Sequence, residues 1–226
     1  MTIYGIDVSA AQGIIPAVHW QAIASDKSFV IIEAQVGNDG PNPLFDDYEA
    51  GAQAAGMVTG AYICAACLPD DGIHPNRDPE GQMQLFFAAC KGLGATPGEL
   101  RPVIDLEDPD PSHWAADKVT PTFLEDWTGR AIDKVVALWG VQPITYGYPY
   151  WLQQAKLKKV AQCDLWLAAY GGSKYRTAPP WNTLSPIVLA SMLQVSDGGY
   201  RLPNGAPCDE NEIYSPVTYA DLRGQS

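Results

Sequence analysis

Two kinds of hydrophobic pattern alternate along this chain. Short apolar runs end in polar or acidic residues, and longer segments place apolar residues every three or four positions. Phe29-Val30-Ile31-Ile32-Glu33-Ala34 is a near-continuous run of the kind expected of a strand buried on both faces of a parallel sheet. Ile3 to Ser9, Val58 to Ile63, Pro102 to Glu107, Pro143 to Tyr148, Leu165 to Tyr170, Val188 to Val195 and Asp209 to Tyr214 read as further strands. Between the early strands the period lengthens. A helical segment surrounds Trp20 to Ala24. Phe45, Tyr48, Ala52 and Ala55 share one stripe until Gly56 stops it. Asp78 can cap, and Pro79 open, a helix burying Met83, Phe86, Phe87 and Cys90. Thr120-Pro121 starts a helix with Phe123, Trp127, Ala131, Val135 and Trp139 on its inner face, ended by Gly140. Trp20, Trp127 and Trp139 are therefore assigned to the core. Pro69 to Pro79 is a long polar loop.

The links between the last strands are rich in Gly, Pro and Ser and carry no helical stripe. Hairpins need no helix, whereas parallel crossovers need one or something similar, so the closing strands are expected to be antiparallel. The fold class is α/β: an irregular β/α barrel, helix-poor and partly antiparallel toward its C-terminus. Residues 1–226 read as one domain without an interdomain linker, an internal repeat or a separate binding module.

Charge narrows the partners. Asp and Glu total 26 against 14 Lys and Arg, a formal charge of −12, which repels nucleic acid and anionic membrane surfaces. Neither is expected as a partner, and no apolar run is long enough to span a bilayer. The start, Met1-Thr2-Ile3-Tyr4-Gly5, has no signal-peptide character. Five cysteines are an odd count, so at least one is unpaired. Cys64 and Cys67 have the C-x-x-C spacing but no second pair, and the cysteines read mostly as small buried hydrophobes, with a redox or metal role for Cys64 and Cys67 as the lesser reading.

The chemistry concentrates in Pro102-Val103-Ile104-Asp105-Leu106-Glu107. Side chains alternate in a strand, so Asp105 and Glu107 project from one face and Ile104 and Leu106 from the other. Asp108-Pro109-Asp110-Pro111 then ends the strand, which leaves the acid pair at its C-terminal mouth. Like charges side by side raise the pKa of one member, making a proton donor and a charged partner from similar groups. Asp7, Tyr62, Tyr146 and Tyr170 fall near other strand ends, which in such a barrel open on one face. Carboxylates cleave glycosidic bonds and aromatic rings stack on sugars, so a carbohydrate cleft is the chemical reading. Two alternatives stay open on the residues alone: a carbohydrate-binding protein, inactive or weakly active, on the same scaffold, and a divalent-metal enzyme using the acids as oxygen ligands.

Gly5-Ile6-Asp7-Val8-Ser9 with Gln12-Gly13, Phe29 to Ile32, Ala54-Ala55-Gly56 leading to Gly60-Ala61-Tyr62, Asp105-Leu106-Glu107, Leu165 to Ala168 with Tyr170, Gln194 with Ser196, and Asp209-Glu210-Asn211 occur in the order of a known family's landmarks. Over nearly its whole length the chain resembles glycoside hydrolase family 25, the Chalaropsis-type lysozymes, common as phage endolysins. The resemblance implies an N-acetylmuramidase acting on the β-1,4 bond between N-acetylmuramic acid and N-acetylglucosamine, with bacterial peptidoglycan glycan strands as partner, no cofactor, no metal and a monomeric state. It implies an endolysin's location, the cytoplasm of an infected host before release to the wall, or an extracellular one if the chain is a processed form. It makes Glu107 the general acid and Asp105 its partner, with Asp7 and Asp209 completing the acidic floor. Tyr62 and Tyr146 become sugar contacts, and Tyr170, Gln194 and Asn211 join the substrate-binding set. The chain departs from the family at Ala11, at Glu33-Ala34-Gln35-Val36-Gly37, at Ile63-Cys64 and at Leu193 and Val195.

Residues i and i+2 on a strand have Cα atoms roughly 6.5–7 Å apart. A covalently retaining pair holds its carboxyl groups about 5–5.5 Å apart and an inverting pair about 6.5–9.5 Å. Backbone spacing alone thus leans away from a covalent enzyme intermediate. An Asp two residues before the acid on the same strand face is placed for a route in which the substrate's own 2-acetamido group attacks while Asp105 holds its nitrogen; inversion through a water is the second reading, which the spacing does not exclude.

Overall fold

The structure, a computed structural model, describes residues 2–37, 39–69, 77–155, 158–170, 190–213 and 219–223. Most of the polar loop from Pro69 to Pro79, Val188 and Leu189 of the expected eighth run, and Tyr214 at the end of the last one lie outside the described residues.

The strands are β1 (Ile3–Val8), β2 (Phe29–Val36), β3 (Gly40–Pro41), β4 (Val58–Ala66), β5 (Val103–Asp108), β6 (Ile144–Gly147), β7 (Asp164–Ala168), β8 (Met192–Arg201) and β9 (Pro207–Ile213). They form one sheet in the order β1-β9-β8-β7-β6-β5-β4-β2-β3, and β1 also pairs with β2, so the sheet closes into a barrel with β3 appended to β2. Every pairing from β1 through β2, β4, β5, β6 and β7 to β8 is parallel. Within the barrel β9 runs against both its neighbours, β8 and β1, and the appended β3 runs against β2. The expected antiparallel closure therefore holds for β9 and not for β8. Trp166 pairs with Met192 and Ala168 with Gln194 in parallel register. The link from 169 to 191 exceeds the dozen or so residues that a parallel crossover requires. By contrast Leu202 and Ala206 bracket a tight hairpin, with Gly205 at φ 88°, and that turn can only reverse the chain.

The helices are α1 (Ala17–Ala24), α2 (Phe45–Ala54), α3 (Pro79–Ala89), α4 (Pro121–Trp139), α5 (Pro149–Ala155) and the short α6 (Tyr219–Leu222). α3 and α4 begin as their cap residues predict: Asp78 accepts from the Gly81 amide and Thr120 from the Phe123 amide. Gly140 ends α4 in the left-handed region at φ 73°. α5 was not legible, because seven residues are too few to show a helical period. No helix among the described residues is long and apolar enough to cross a membrane.

Strand alternation sorts the apolar side chains into two cores. Ile104 and Leu106 face outward onto Phe86, Trp127, Val135 and Trp139 of α3 and α4. Trp139 stacks edge-on against Phe87 at 4.8 Å and donates its indole N–H to the Leu93 carbonyl. Each such side chain, fully buried, contributes roughly 1.5–3 kcal/mol. Phe29, Ile31, Val103, Ile144, Trp166, Met192 and Ile213 point inward and plug the barrel. Gly5 permits that plug, since a Cβ there would lie 2.3 Å from the Phe29 ring. Above the plug the inward positions become polar, and there the site forms.

Candidate active site

Continuing each inward row by two residues gives the mouth. Val103 is followed by Asp105 and Glu107, Ile144 by Tyr146, Gly5 by Asp7, and Met192 by Gln194. Parallel register sets Cys64 beside Asp105, Asp105 beside Tyr146 and Tyr146 beside Trp166, while antiparallel register sets Asp7 opposite Asp209. The resulting pocket is lined by Asp7, Tyr62, Asp105, Glu107, Tyr146, Trp166, Tyr170, Gln194 and Asp209. A larger cavity lies outside the barrel between α1 and α2, lined by Ile15, Trp20, Leu44, Tyr48 and other largely apolar side chains. Chemistry rather than size marks the barrel mouth as the candidate site.

Gln194 is the hub of its hydrogen bonding. Its carbonyl oxygen accepts from Tyr146 Oη at 2.7 Å and Tyr170 Oη at 2.8 Å, and its amide nitrogen donates to Asp7 Oδ2 at 3.1 Å and Asp209 Oδ2 at 3.2 Å. Asn211 donates to the same Asp7 oxygen at 2.7 Å and accepts from Trp166 Nε1 at 2.9 Å. Asp209 also accepts the Gly198 amide. Tyr62 Oη donates to Glu33 Oε2 at 3.4 Å, and Tyr170 stands on the rim, half exposed.

The acids differ in setting. Asp7 is pushed up to about 7, by burial first and then by the charge of Asp209. Asp105 is raised well above the usual carboxylate range by burial, then by Glu107 and Asp7. Glu107 is raised by burial, then by Asp108 and Asp209. Burial likewise raises Asp209 and Glu33. None of the side chains lining the pocket is basic. Among the described residues Asp105 Oδ1 is buried without a hydrogen-bond partner.

An oxygen of Asp105, an oxygen of Glu107 and the Cys64 sulfur all lie within 4.8 Å of one another. The two side chains approach each other, so the pair is closer than strand spacing alone suggested. That separation is nearer to the about 5–5.5 Å of a covalently retaining pair than to the about 6.5–9.5 Å of an inverting one, so the backbone spacing no longer argues against retention.

The nine residues expected at the site are thus divided by depth. Eight of them line the pocket, whereas Asn211, expected at the sugar, is wholly buried. Both ends of its amide are bound within the protein, so it holds Asp7 in place rather than touching a ligand. Gln194 reaches the lining with its amide similarly committed. Trp166 was missed because a tryptophan in an apolar strand reads as core. Glu33 and Cys64 were legible in principle, since each sits two residues beyond an inward-facing neighbour. All five cysteines are free; Cys67, Cys90 and Cys208 are buried as expected, whereas Cys64 and Cys163 are only partly so. Burial and the charges of Asp105 and Glu107 hold its thiol well above the usual range. Cys64, Asp105 and Glu107 are the one trio of metal-ligating side chains this close together among the described residues.

The model of the family described as glycosyl hydrolases family 25 matches residues 6–187. No curated protein is detectably similar in sequence. Among solved structures, a bacterial lysozyme from Streptomyces coelicolor superposes with a TM-score of 0.80 at 22% identity, covering 98% of this chain and 97% of that one. A family 25 lysozyme from Aspergillus fumigatus gives 0.79 at 20% identity, with 100% of both chains covered. The catalytic domain of an endolysin from a Listeria monocytogenes bacteriophage gives 0.68 at 20% identity, covering 100% of this chain and 98% of that one. At these identities the likeness establishes the fold.

Proposed function

The chain belongs to glycosyl hydrolase family 25 and is a glycoside hydrolase, and from that premise we propose that it cleaves the β-1,4 bond between N-acetylmuramic acid and N-acetylglucosamine in bacterial peptidoglycan. Glu107 is the general acid. Its raised pKa keeps it protonated further up the pH scale than a free carboxyl, and it faces the open mouth where a leaving oxygen arrives. Tyr62, Tyr146 and Tyr170 offer ring faces and hydroxyls to the sugars. Asp7 and Asp209 form the floor, held by Gln194 and Asn211.

The observation that carries the mechanism is the unpartnered Asp105 Oδ1. A buried acceptor without a donor costs about 1–3 kcal/mol, a cost that a substrate donor removes on binding. The N–H of a 2-acetamido group is such a donor. With that nitrogen held by Asp105, the acetamido oxygen attacks the anomeric carbon as Glu107 protonates the leaving oxygen. Glu107, now charged, then takes a proton from the water that opens the cyclic intermediate, and the configuration is retained.

The test is an assay on purified peptidoglycan and a soluble glycan fragment. Glu107→Gln should keep the fold and lose roughly 10²–10⁴-fold in turnover. The first anomer seen by proton NMR should be the retained one, and a thiazoline mimic of the cyclic intermediate should inhibit. Near wild-type lysis by Glu107→Gln would overturn the assignment of Glu107 as the acid, and a wild-type chain that binds peptidoglycan without cutting it would favour a binding protein. An inverted first product with no thiazoline inhibition would return Asp105 to the role of an ordinary base. Running the assay on walls of several bacteria also tests the setting we favour, a phage endolysin. Cleavage confined to few hosts is expected of one, and a general bacteriolytic spectrum counts against it.

A further inference from the structure

Beside the two acids of the mouth lies a thiol that hydrolysis does not use. Cys64 lies two residues beyond Tyr62 on β4, so the pleat turns both toward the pocket, and register puts Cys64 beside Asp105. Its sulfur and one oxygen each of Asp105 and Glu107 lie within 4.8 Å of one another. Asp105 is only 6% exposed, and its Oδ1 has no hydrogen-bond partner among the described residues. Four carboxylates, those of Asp7, Asp105, Glu107 and Asp209, share the lining with no basic side chain among them.

The geometry points to an inhibitory site for a divalent cation of the zinc class, held by Cys64, Asp105 and Glu107. One sulfur and two carboxylate oxygens make three ligands of a four-coordinate ion, with the fourth position open to the mouth. Ligand atoms on one zinc ion sit roughly 3.5 Å apart, so the trio has to close by about 1 Å. Cys64 and Glu107 are each partly exposed rather than fully buried, so the closing falls to these two side chains. The sulfur decides the class of ion. Magnesium and calcium take all-oxygen shells, whereas a thiolate favours zinc and its borderline-soft neighbours. On binding, the Cys64 thiol proton and the Glu107 carboxyl proton both leave to solvent, and a sulfur–metal and an oxygen–metal bond take their places. Both carboxylates are then occupied, so Glu107 has no proton to deliver and Asp105 cannot receive the acetamido N–H. The inhibition rests on the proposed roles of Asp105 and Glu107, and the binding does not.

The experiment uses the whole chain with CoCl2 and ZnCl2. Cobalt should raise a sulfur-to-metal charge-transfer band in the near ultraviolet at one ion per chain, and zinc should displace it. Zinc should also stop peptidoglycan cleavage, and a chelator should restore it. Cys64→Ala should abolish the band and raise the half-inhibiting zinc concentration roughly tenfold or more, since even partners beyond the ligands are worth 10–100-fold in affinity. Cys64→Ser, closer in shape, should lose the band with a wild-type near-ultraviolet CD spectrum. Cys67→Ala should keep both band and inhibition, its sulfur being wholly buried. No band in the wild type, a band surviving Cys64→Ala, or equal zinc sensitivity with and without Cys64 would each overturn the proposal. If the chain fails to cut peptidoglycan at all, the cobalt band still decides the binding, so failure of the hydrolase reading is seen separately.

Discussion

Asp108 lies next to the proposed acid without belonging to the pocket lining, and it gives a clean handle on it. After burial, its charge is the largest influence raising the Glu107 pKa. Asp108→Asn removes that charge, so Glu107 should lose its proton at lower pH. Because a general acid works only while protonated, the alkaline limb of kcat/KM should move toward lower pH with the plateau little changed. A limb that stays put or moves upward would mean that Glu107 is not the group titrating. At this scale the sequence revealed the acids well, because i, i+2 spacing on a strand is a geometric statement as well as a compositional one. It did not reveal depth. Asn211 and Gln194 are the same chemical type as many sugar-binding residues, and only the closed barrel shows that Asn211 lies beneath Asp7. Trp166 had the opposite fate: its apolar neighbours hid an edge that reaches the pocket.

Among the elements, α4 was the most legible because its signals agree. Thr120 Oγ1 accepts the Phe123 amide at 3.1 Å, Pro121 occupies the first turn, and Gly140 adopts the left-handed conformation that ends it. Thr120→Ala should cost about 1 kcal/mol, seen as a lower denaturant midpoint at unchanged slope. Activity below the transition should not change, since α4 packs on the outside of the barrel and contributes nothing to the pocket lining. A fall in kcat would show that the helix transmits strain to the acid-bearing strand. The direction of β8 could not be read, because a link without a helical stripe says nothing about whether it is long enough to cross over. The reversal into β9 could, since a link without a helical stripe suits a hairpin and this one is short.

For the molecule as a whole, the clustered acids make stability depend on pH. Asp7, Glu33, Asp105, Glu107 and Asp209 all have folded pKa values above their unfolded ones, Asp7 reaching about 7. The native state therefore binds more protons than the unfolded one between the ordinary carboxylate range and neutrality. What these groups contribute is fully present below about pH 4 and is lost as pH rises through their folded pKa values. The slope is at most about 1.4 kcal/mol per pH unit for each group. Glu80 and Asp110, whose pKa values are lowered by Arg130 and Ser112, oppose this only in stronger acid. Denaturant unfolding should show a less stable protein at pH 8 than at pH 5, and Asp7→Asn should flatten the difference. Equal stability at the two values would mean that the acids are better solvated than their burial indicates. The barrel class itself was legible from the alternation of runs and stripes, and its closure was not, because β9 finds β1 across almost the whole chain.

That long-range pairing sets an order of events during synthesis. The bond from Asn211 to Asp7 joins residues 204 positions apart, and Asp209 arrives on the same strand. A nascent chain still short of β9 can have Glu107 and Asp105 in place, yet Asp7 lacks its amide donor and the floor lacks one of its acids. The ribosome therefore has to release β9 before a working cleft can exist, and catalytic competence switches on once, with the docking of a single strand.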